Sequence, residues 1–245
     1  MTGAPLRLAV WSGPRNVSTA LMRSFESRPE TVVCDEPLYA HYLRETGKPH
    51  PMAAEIVARH EADWRAVAEW LTGPLPEGRT VFYQKHMAHH LLPQVDRGWL
   101  GELENAFLVR DPRQMLTSLL EILPEPALED TGYPQQVELF EAERARTGRV
   151  PVVVDAKDLL LDPRAILTRL CERVGLSFDE RMLSWSPGPR ETDGCWAEAW
   201  YGNALQSTGF APYREKPARV PGRLRGLEEQ CLDLYGVLHP HRLTA

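Results

Sequence analysis

Ser18 and Thr19 close a short polar turn in the run WSGPRNVSTALMRSF (residues 11–25) and open an apolar helix. Backbone N–H groups at such a helix start converge on one point, where the helix dipole favours an anion. Arg15 adds a permanent positive charge, and Asn16 and Val17 complete the turn. A loop for a magnesium triphosphate would read G-x-x-x-x-G-K-[ST]. Here Ser18 and Thr19 stand where its second Gly and its Lys belong, so the fit is to a phosphate held without that lysine. A plain Ser/Thr-capped helix start would use the same residues; the loop alone leaves both readings open.

A second candidate clamp lies in FLVRDPRQMLTSLLE, where Arg110 leaves an apolar strand and Ser118 follows eight residues later. That spacing is about two helical turns. Arginine offers a fork of donors and keeps its charge at any accessible pH. In isolation, Arg110 could equally pair with a carboxylate and Ser118 lie on a helix surface. Together with the first loop the signal is stronger, because parallel strands bring both to one sheet edge, where a ligand with two separated phosphates would satisfy them.

The elements that must position these groups are legible as an alternation. LRLAVWS (6–12), TVVCDE (31–36), TVFYQKH (80–86), NAFLVRD (105–111) and VPVVVDA (150–156) read as buried strands. AAEIVARHEADWRAVAEWL (53–71) places Ile56, Val57, His60, Trp64, Val67 and Leu71 on one face of a single helix. Asp111-Pro112 and Asp162-Pro163 each put an Asp at N-cap and a Pro at the first helical position, and Gly175 closes the second of these helices. The fold class is therefore α/β, a parallel β-sheet flanked by helices in three layers, with ligands at the strands' carboxyl ends. From residue 184 the chain is rich in Pro, Gly and Trp, which predicts an irregular C-terminal cap ending in the helix LEEQCLDLYGVL. One domain over residues 1–245, with its core at 5–183, is the expected organisation.

With these motifs in order, the chain resembles the sulfotransferases that use 3′-phosphoadenosine 5′-phosphosulfate (PAPS), closest to the bacterial and carbohydrate types with their P-loop-like fold. GPRNVSTALMRSF is similar to the family's 5′-phosphosulfate loop P-[KR]-S-G-[ST]-[ST], matching at Arg15, Ser18 and Thr19 and departing at Asn16 and Val17. LVRDPRQMLTSLLE resembles the 3′-phosphate segment, with its Arg and Ser at Arg110 and Ser118. VVVDAKDLLLDPRAILTRLCERVGLSFDE resembles a strand–helix stretch, with Asp158-Leu159 and Gly175-Leu176 in register. CDEPLYAHYL is similar to the E-P-L of carbohydrate sulfotransferases, which makes Glu36 a candidate base for an acceptor hydroxyl. A carboxylate just after a buried strand, beside an anion site, is independently placed for that work; a structural Glu bonded to backbone N–H groups is the alternative.

The resemblance implies further candidates. Cytosolic members carry a K-x-H motif after the third strand; FYQKHMAHHL offers Lys85 and His86 without the intervening residue, so His86 is a second base candidate. His89 and His90 read as helix positions near the surface. Lys85 is a further partner for the transferring group, and Arg15 an electrostatic clamp. Arg214 and Lys216, in YREKPAR, fall where family members carry a basic segment near the 3′-phosphate. Trp196, Trp200 and Tyr201 either line an acceptor pocket or pack. PAPS is the implied co-substrate, with no metal required, and the acceptor is a hydroxyl or amine on a small molecule or carbohydrate.

Composition sets the outer limits. The 245 residues are 43 % hydrophobic and 25 % charged, with a net charge of −6, so no general attraction to nucleic acid is expected. The four cysteines form no C-x-x-C pair, which predicts neither a zinc site nor a disulfide framework, and a reducing cytoplasm. No run approaches the roughly 20 apolar residues of a membrane span. A homo-oligomer is compatible with the sequence. Two competing readings remain: a kinase-like P-loop enzyme using Asp155 as its magnesium carboxylate, and a nucleotide-binding relative without turnover.

Overall fold

The computed structural model describes residues 4–215 and 217–245. The expected role of Lys216 therefore lies outside the described residues. Five strands are present: β1 (Leu6–Ser12), β2 (Thr31–Asp35), β3 (Val81–Met87), β4 (Glu104–Val109) and β5 (Val152–Asp155). They form one sheet in the order β2-β3-β1-β4-β5, and every pairing is parallel. The central β1 has β3 on one side and β4 on the other, so the chain order reverses there and opens a crevice at its carboxyl end. The loop 13–17 enters that crevice.

The helices between the strands are α1 (Ser18–Glu26), α2 (Tyr39–Thr46), α3 (Ala53–Arg59), α4 (Trp64–Thr72), α5 (Pro112–Leu119), α6 (Tyr133–Thr147), α7 (Ala156–Leu161) and α8 (Pro163–Arg173). Short α9 (Ala197–Trp200) and α10 (Gly202–Gln206) precede the long α11 (Arg225–Leu238). Strand side chains alternate between two cores. On one face Leu8, Val10, Tyr83 and Leu108 pack with Leu21, Met22 and Phe25 of α1 and with Ile166 and Leu170 of α8. On the other, Ala9, Trp11, Phe82 and Phe107 pack with Leu71 of α4 and Phe140 of α6. The α/β/α layering expected from the sequence is what the chain adopts.

Both Asp-Pro signals mark helix starts: Asp111 accepts from the backbone N–H groups of Arg113 and Gln114, and Asp162 from that of Ala165. The single helix expected over 53–71 is instead two. His60 leaves α3 in extended conformation, and Asp63 caps α4 by accepting from the Arg65 N–H. A capping aspartate gains more by ending one helix and opening another than an aspartate in a helix interior would. Within the C-terminal region, α11 packs beside α5 and α6, and its Leu238 reaches the second core. The loop before it carries Trp196 and Tyr201 against α2 and α3.

Candidate active site

The loop after β1 is shaped by one close approach and one unusual backbone angle. A Cβ at Gly13 would come 2.5 Å from the Thr131 carbonyl oxygen, so only glycine lets the loop lie against the 131–132 segment. Gly13→Ala is expected to destabilise the fold by about 1–3 kcal/mol, as overpacking does, and to weaken anion binding; urea unfolding and a ligand titration check the two parts. Arg15 adopts a left-handed φ of 55°, which turns its side chain towards α5. There its Nε donates to Ser118 Oγ at 3.0 Å, while Nη1 of Arg110 donates to the Arg15 carbonyl oxygen at 2.5 Å. Arg15, Arg110 and Ser118, distant in sequence, thus meet at one place.

Asn16 and Val17 are used internally. The Asn16 amide donates to the Leu108 carbonyl at 2.9 Å, and its oxygen accepts from the Val17 N–H at 3.0 Å. These two therefore build the loop, and the Val17 N–H is not free for a ligand. In contrast to α4, α5, α7 and α8, each started by a capping aspartate, α1 has no side-chain cap. Its first-turn N–H groups lie beside the hydroxyls of Ser18 and Thr19 and make a ready anion site.

Two spaces flank this loop. On one side lies a cleft of about 1220 Å³ that touches Val17, Arg110, Lys157, Tyr213 and Arg214. Arg113 and Arg242 in the same cleft are paired with Glu228 and Asp158 at 2.6 and 2.9 Å. Among the described residues Arg110, Lys157 and Arg214 have no carboxylate partner, so the cleft offers positive charge to an anion. Burial lowers the pKa of Arg110 from its ordinary value, but a guanidinium stays charged in any accessible range.

On the other side is a cavity of about 190 Å³ reached by Arg15, Ser18, Thr19, Glu36 and Lys85. Its floor is a buried charge cluster. Lys85 Nζ donates to Asp35 Oδ1 at 2.7 Å, to Glu36 Oε1 at 2.6 Å and to the Tyr201 hydroxyl at 2.6 Å. The Tyr201 hydroxyl in turn donates to Asp35 at 2.7 Å. The two carboxylates hold the Lys85 pKa well above its ordinary value despite burial. An ammonium has three donors, and all three are taken, so Lys85 orients Glu36 rather than reaching a transferring group itself, as the sequence had suggested. Glu36, itself at a left-handed φ of 43°, has its pKa raised by burial, with the Lys85 charge opposing. A carboxylate whose pKa is raised is a stronger base, suited to accept a proton.

His86 is not part of this cavity. Successive strand residues face opposite sides of a sheet, so His86 points away from Lys85. It stacks on Trp11 with ring centroids 4.1 Å apart, and burial pushes its pKa down to about 3. The missing residue of the K-x-H spacing has that physical consequence. His89 and His90 do line the cavity: they sit in a buried 3-10 turn (Ala88–His90), not on a surface helix. Asp35 and His90 went unrecognised as site residues, having no signal that separates them from core residues, whereas Tyr201, named as lining an acceptor pocket or packing, does both. Trp196 packs, fully buried, whereas Trp200 lines the cavity. Asp155, the kinase-type candidate, accepts from the Lys157 N–H and, at 2.8 Å, from the Tyr235 hydroxyl, and so serves as a helix cap. Among the described residues no group of three or more His, Cys, Asp or Glu is arranged to hold a metal ion, and no helix is long and apolar enough to cross a membrane.

Comparison with known proteins places the chain in a family. Residues 6–227 match the sulfotransferase domain family. Two curated Arabidopsis thaliana proteins, branched-chain-amino-acid aminotransferase-like proteins 2 and 1, are 34 % and 33 % identical over 94 % of the chain. The chain spans 41 % of the length of each. Among solved structures, the sulfotransferase domain of the Synechococcus PCC 7002 olefin synthase aligns with a TM-score of 0.54 at 19 % identity, covering 94 % of this chain and 95 % of that one. A sulfotransferase domain from the curacin biosynthetic pathway gives 0.52 at 13 % identity, over 95 % and 98 % of the two chains. The sulfotransferase from Alicyclobacillus acidocaldarius gives 0.51 at 12 %, over 97 % of both. At those identities the structural likeness concerns the fold.

Proposed function

Because the chain belongs to the sulfotransferase domain family, we propose that it moves a sulfuryl group from PAPS to a hydroxyl of a small acceptor. The observation that carries this reading is that one loop serves two spaces. Val17 borders the cationic cleft, and its neighbours Arg15, Ser18 and Thr19 border the cavity that holds Glu36. A donor with its nucleoside and 3′-phosphate in the cleft would present its 5′-phosphosulfate at the loop, facing the cavity.

Each group then has a role. Arg110, with Arg214, Lys157 and Ser118 nearby, holds the 3′-phosphate end. Arg15 and the first-turn N–H groups of α1 stabilise charge on the 5′-phosphate as it departs. Glu36 takes the acceptor proton while an O–S bond forms and the sulfur–oxygen bond to the nucleotide breaks, its electron pair leaving on the phosphate. The products are a sulfate ester and adenosine 3′,5′-bisphosphate. Lys85 keeps Glu36 oriented. The aminotransferase-like name belongs to relatives of which this chain spans 41 %, and the family match of the chain itself is to the sulfotransferase domain.

The test is a calorimetric titration of adenosine 3′,5′-bisphosphate in EDTA, on wild type and Arg110→Ala. Saturable binding that weakens at least about tenfold in the variant is expected, since charge-assisted bonds to a phosphate contribute about 1.5–3 kcal/mol each. Binding of ATP·Mg²⁺ in place of the bisphosphate would overturn the reading in favour of a kinase.

A further inference from the structure

We propose that the acceptor is a neutral alcohol on a small apolar carrier, about one ring in size, whose hydroxyl bridges Glu36 Oε2 and His90 Nδ1. The inference rests on the sulfotransferase reading for what is transferred, but the binding site it names stands on the cavity.

The geometry begins with His90. Its ring is sandwiched between Tyr39 and Tyr42, with centroids 4.5 and 4.7 Å away, so both faces are covered and only the edge is left for hydrogen bonding. On that edge Nδ1 is buried without a partner, 4.0 Å from Glu36 Oε2. Two polar atoms at that separation are too far apart for a direct hydrogen bond. An oxygen about 2.8 Å from each would span the gap. A hydroxyl fits both ends, donating its one proton to the carboxylate and accepting from the imidazole N–H. A carboxylate could accept from the imidazole but has no proton for Glu36, and a methyl group would leave the buried His90 Nδ1 unsatisfied, which is costly. Burial and neighbouring imidazoles keep His90 neutral, and the proposal assigns its one N–H to Nδ1.

The remaining wall limits the carrier. Leu119, Ile122 and Leu123 close one side, and Pro49, Pro51 and Tyr42 another. His89 Nδ1 is a further buried lining atom without a partner. At about 190 Å³ the space is smaller than the ~300–1,000 Å³ typical of drug-sized ligand pockets. The aliphatic and proline walls and the small volume select a compact alcohol or phenol, to which the unpartnered Nδ1 of His89 and Nε1 of Trp200 offer two further polar points. Asp130, the other carboxylate in the lining, is paired with Lys48.

Phenol, fluorobenzene and benzoate, titrated by calorimetry into protein saturated with adenosine 3′,5′-bisphosphate, test the proposal. Fluorobenzene matches phenol in shape but has no O–H, and benzoate adds a negative charge. Phenol should bind at least about tenfold more tightly than either, because both rivals leave Glu36 or His90 unpaired. His90→Leu should erase that preference, and His90→Asn, which keeps an amide N–H near the Nδ1 position, should restore much of it. Bisphosphate affinity should be the same in all three proteins, which also reports that the variants are folded. Equal binding of phenol and fluorobenzene, a preference for benzoate, or discrimination that survives in His90→Leu would overturn the proposal. Failure of the bisphosphate to bind wild type would instead remove the sulfotransferase reading. The three ring compounds, titrated into the nucleotide-free protein, then judge the hydroxyl site by the same criteria.

Discussion

Glu36→Gln is expected to lower the rate of sulfuryl transfer by about 10²–10⁴-fold, the range attributed to a positioned general base, and to leave bisphosphate binding intact. The amide is nearly isosteric and its oxygen still accepts from Lys85, so the cavity keeps its shape. What is lost is the ability to take a proton. The pH profile makes the test specific. Burial raises the Glu36 pKa above the usual glutamate range, against the pull of Lys85. In wild type, kcat/KM should therefore rise with pH through that elevated pKa, and the rising limb should vanish in Glu36→Gln. Stability shows the opposite trend for the same group. A carboxyl whose folded pKa is raised stabilises the fold while protonated, and this contribution falls away as pH climbs from the unfolded to the folded value. The variant, with nothing to titrate there, should lose less stability over that interval. A variant with near-normal turnover and an unchanged pH limb would remove Glu36 from the chemistry.

Lys85→Met is expected to cost about 3–5 kcal/mol of stability at neutral pH, the penalty for leaving buried charge without its partner. Lys85 is 1 % exposed and joins Asp35 and Glu36, both inside the fold. Methionine fills a similar volume, so the loss is electrostatic rather than a cavity. Acid should shrink the deficit, because protonating either carboxylate removes a charge that no longer has a counter-ion. In wild type the sign is reversed. The raised Lys85 pKa contributes stability that is fully present below the unfolded lysine value of about 10.4 and declines only above it. Denaturant unfolding at pH 5 and pH 8 separates these effects. Adding Asp35→Asn to Lys85→Met should recover part of the loss at pH 8, since one of the two stranded charges is then gone. A deficit below about 1 kcal/mol, independent of pH, would show that the cluster is solvated.

The fold was readable because the signals that build it are local. Apolar β-branched runs and Asp-Pro caps occupy consecutive residues, and each strand and both capped helices follow from them. The break between α3 and α4 was missed although Asp63 sits in capping position, because apolar periodicity runs through it without interruption. The loop after β1 stood out for the same local reason, and its Arg15, Ser18 and Thr19 do line the cavity. The cavity floor was legible only in part: Glu36, Lys85 and Tyr201 were singled out, but Asp35 and the ion pairs were not, since Asp35 from β2, Lys85 from β3 and Tyr201 from the C-terminal region meet only after folding. The two histidine assignments failed for a question of parity. Lys85 and His86 are adjacent, which in a strand sends them to opposite cores, and the 3-10 turn that follows then buries His90 between two tyrosines whose positions lie on α2. No pattern within FYQKHMAHHL encodes which of its three histidines will meet Glu36.

Arg15 holds a backbone conformation that glycine adopts without strain and a branched-out side chain does not. Its contacts are a single bond to Ser118 and a loose approach to the exposed Glu121 at 3.9 Å. Exchanging it for glycine would relieve steric strain on the order of 1 kcal/mol and forfeit about as much in side-chain contacts and chain entropy. The fold is therefore nearly indifferent to the residue on which the proposed anion site depends. Loss of function at this position would leave a protein that accumulates, melts and resists proteolysis like the original, so a screen that scores abundance would pass it unnoticed while a screen that scores ligand capture would not.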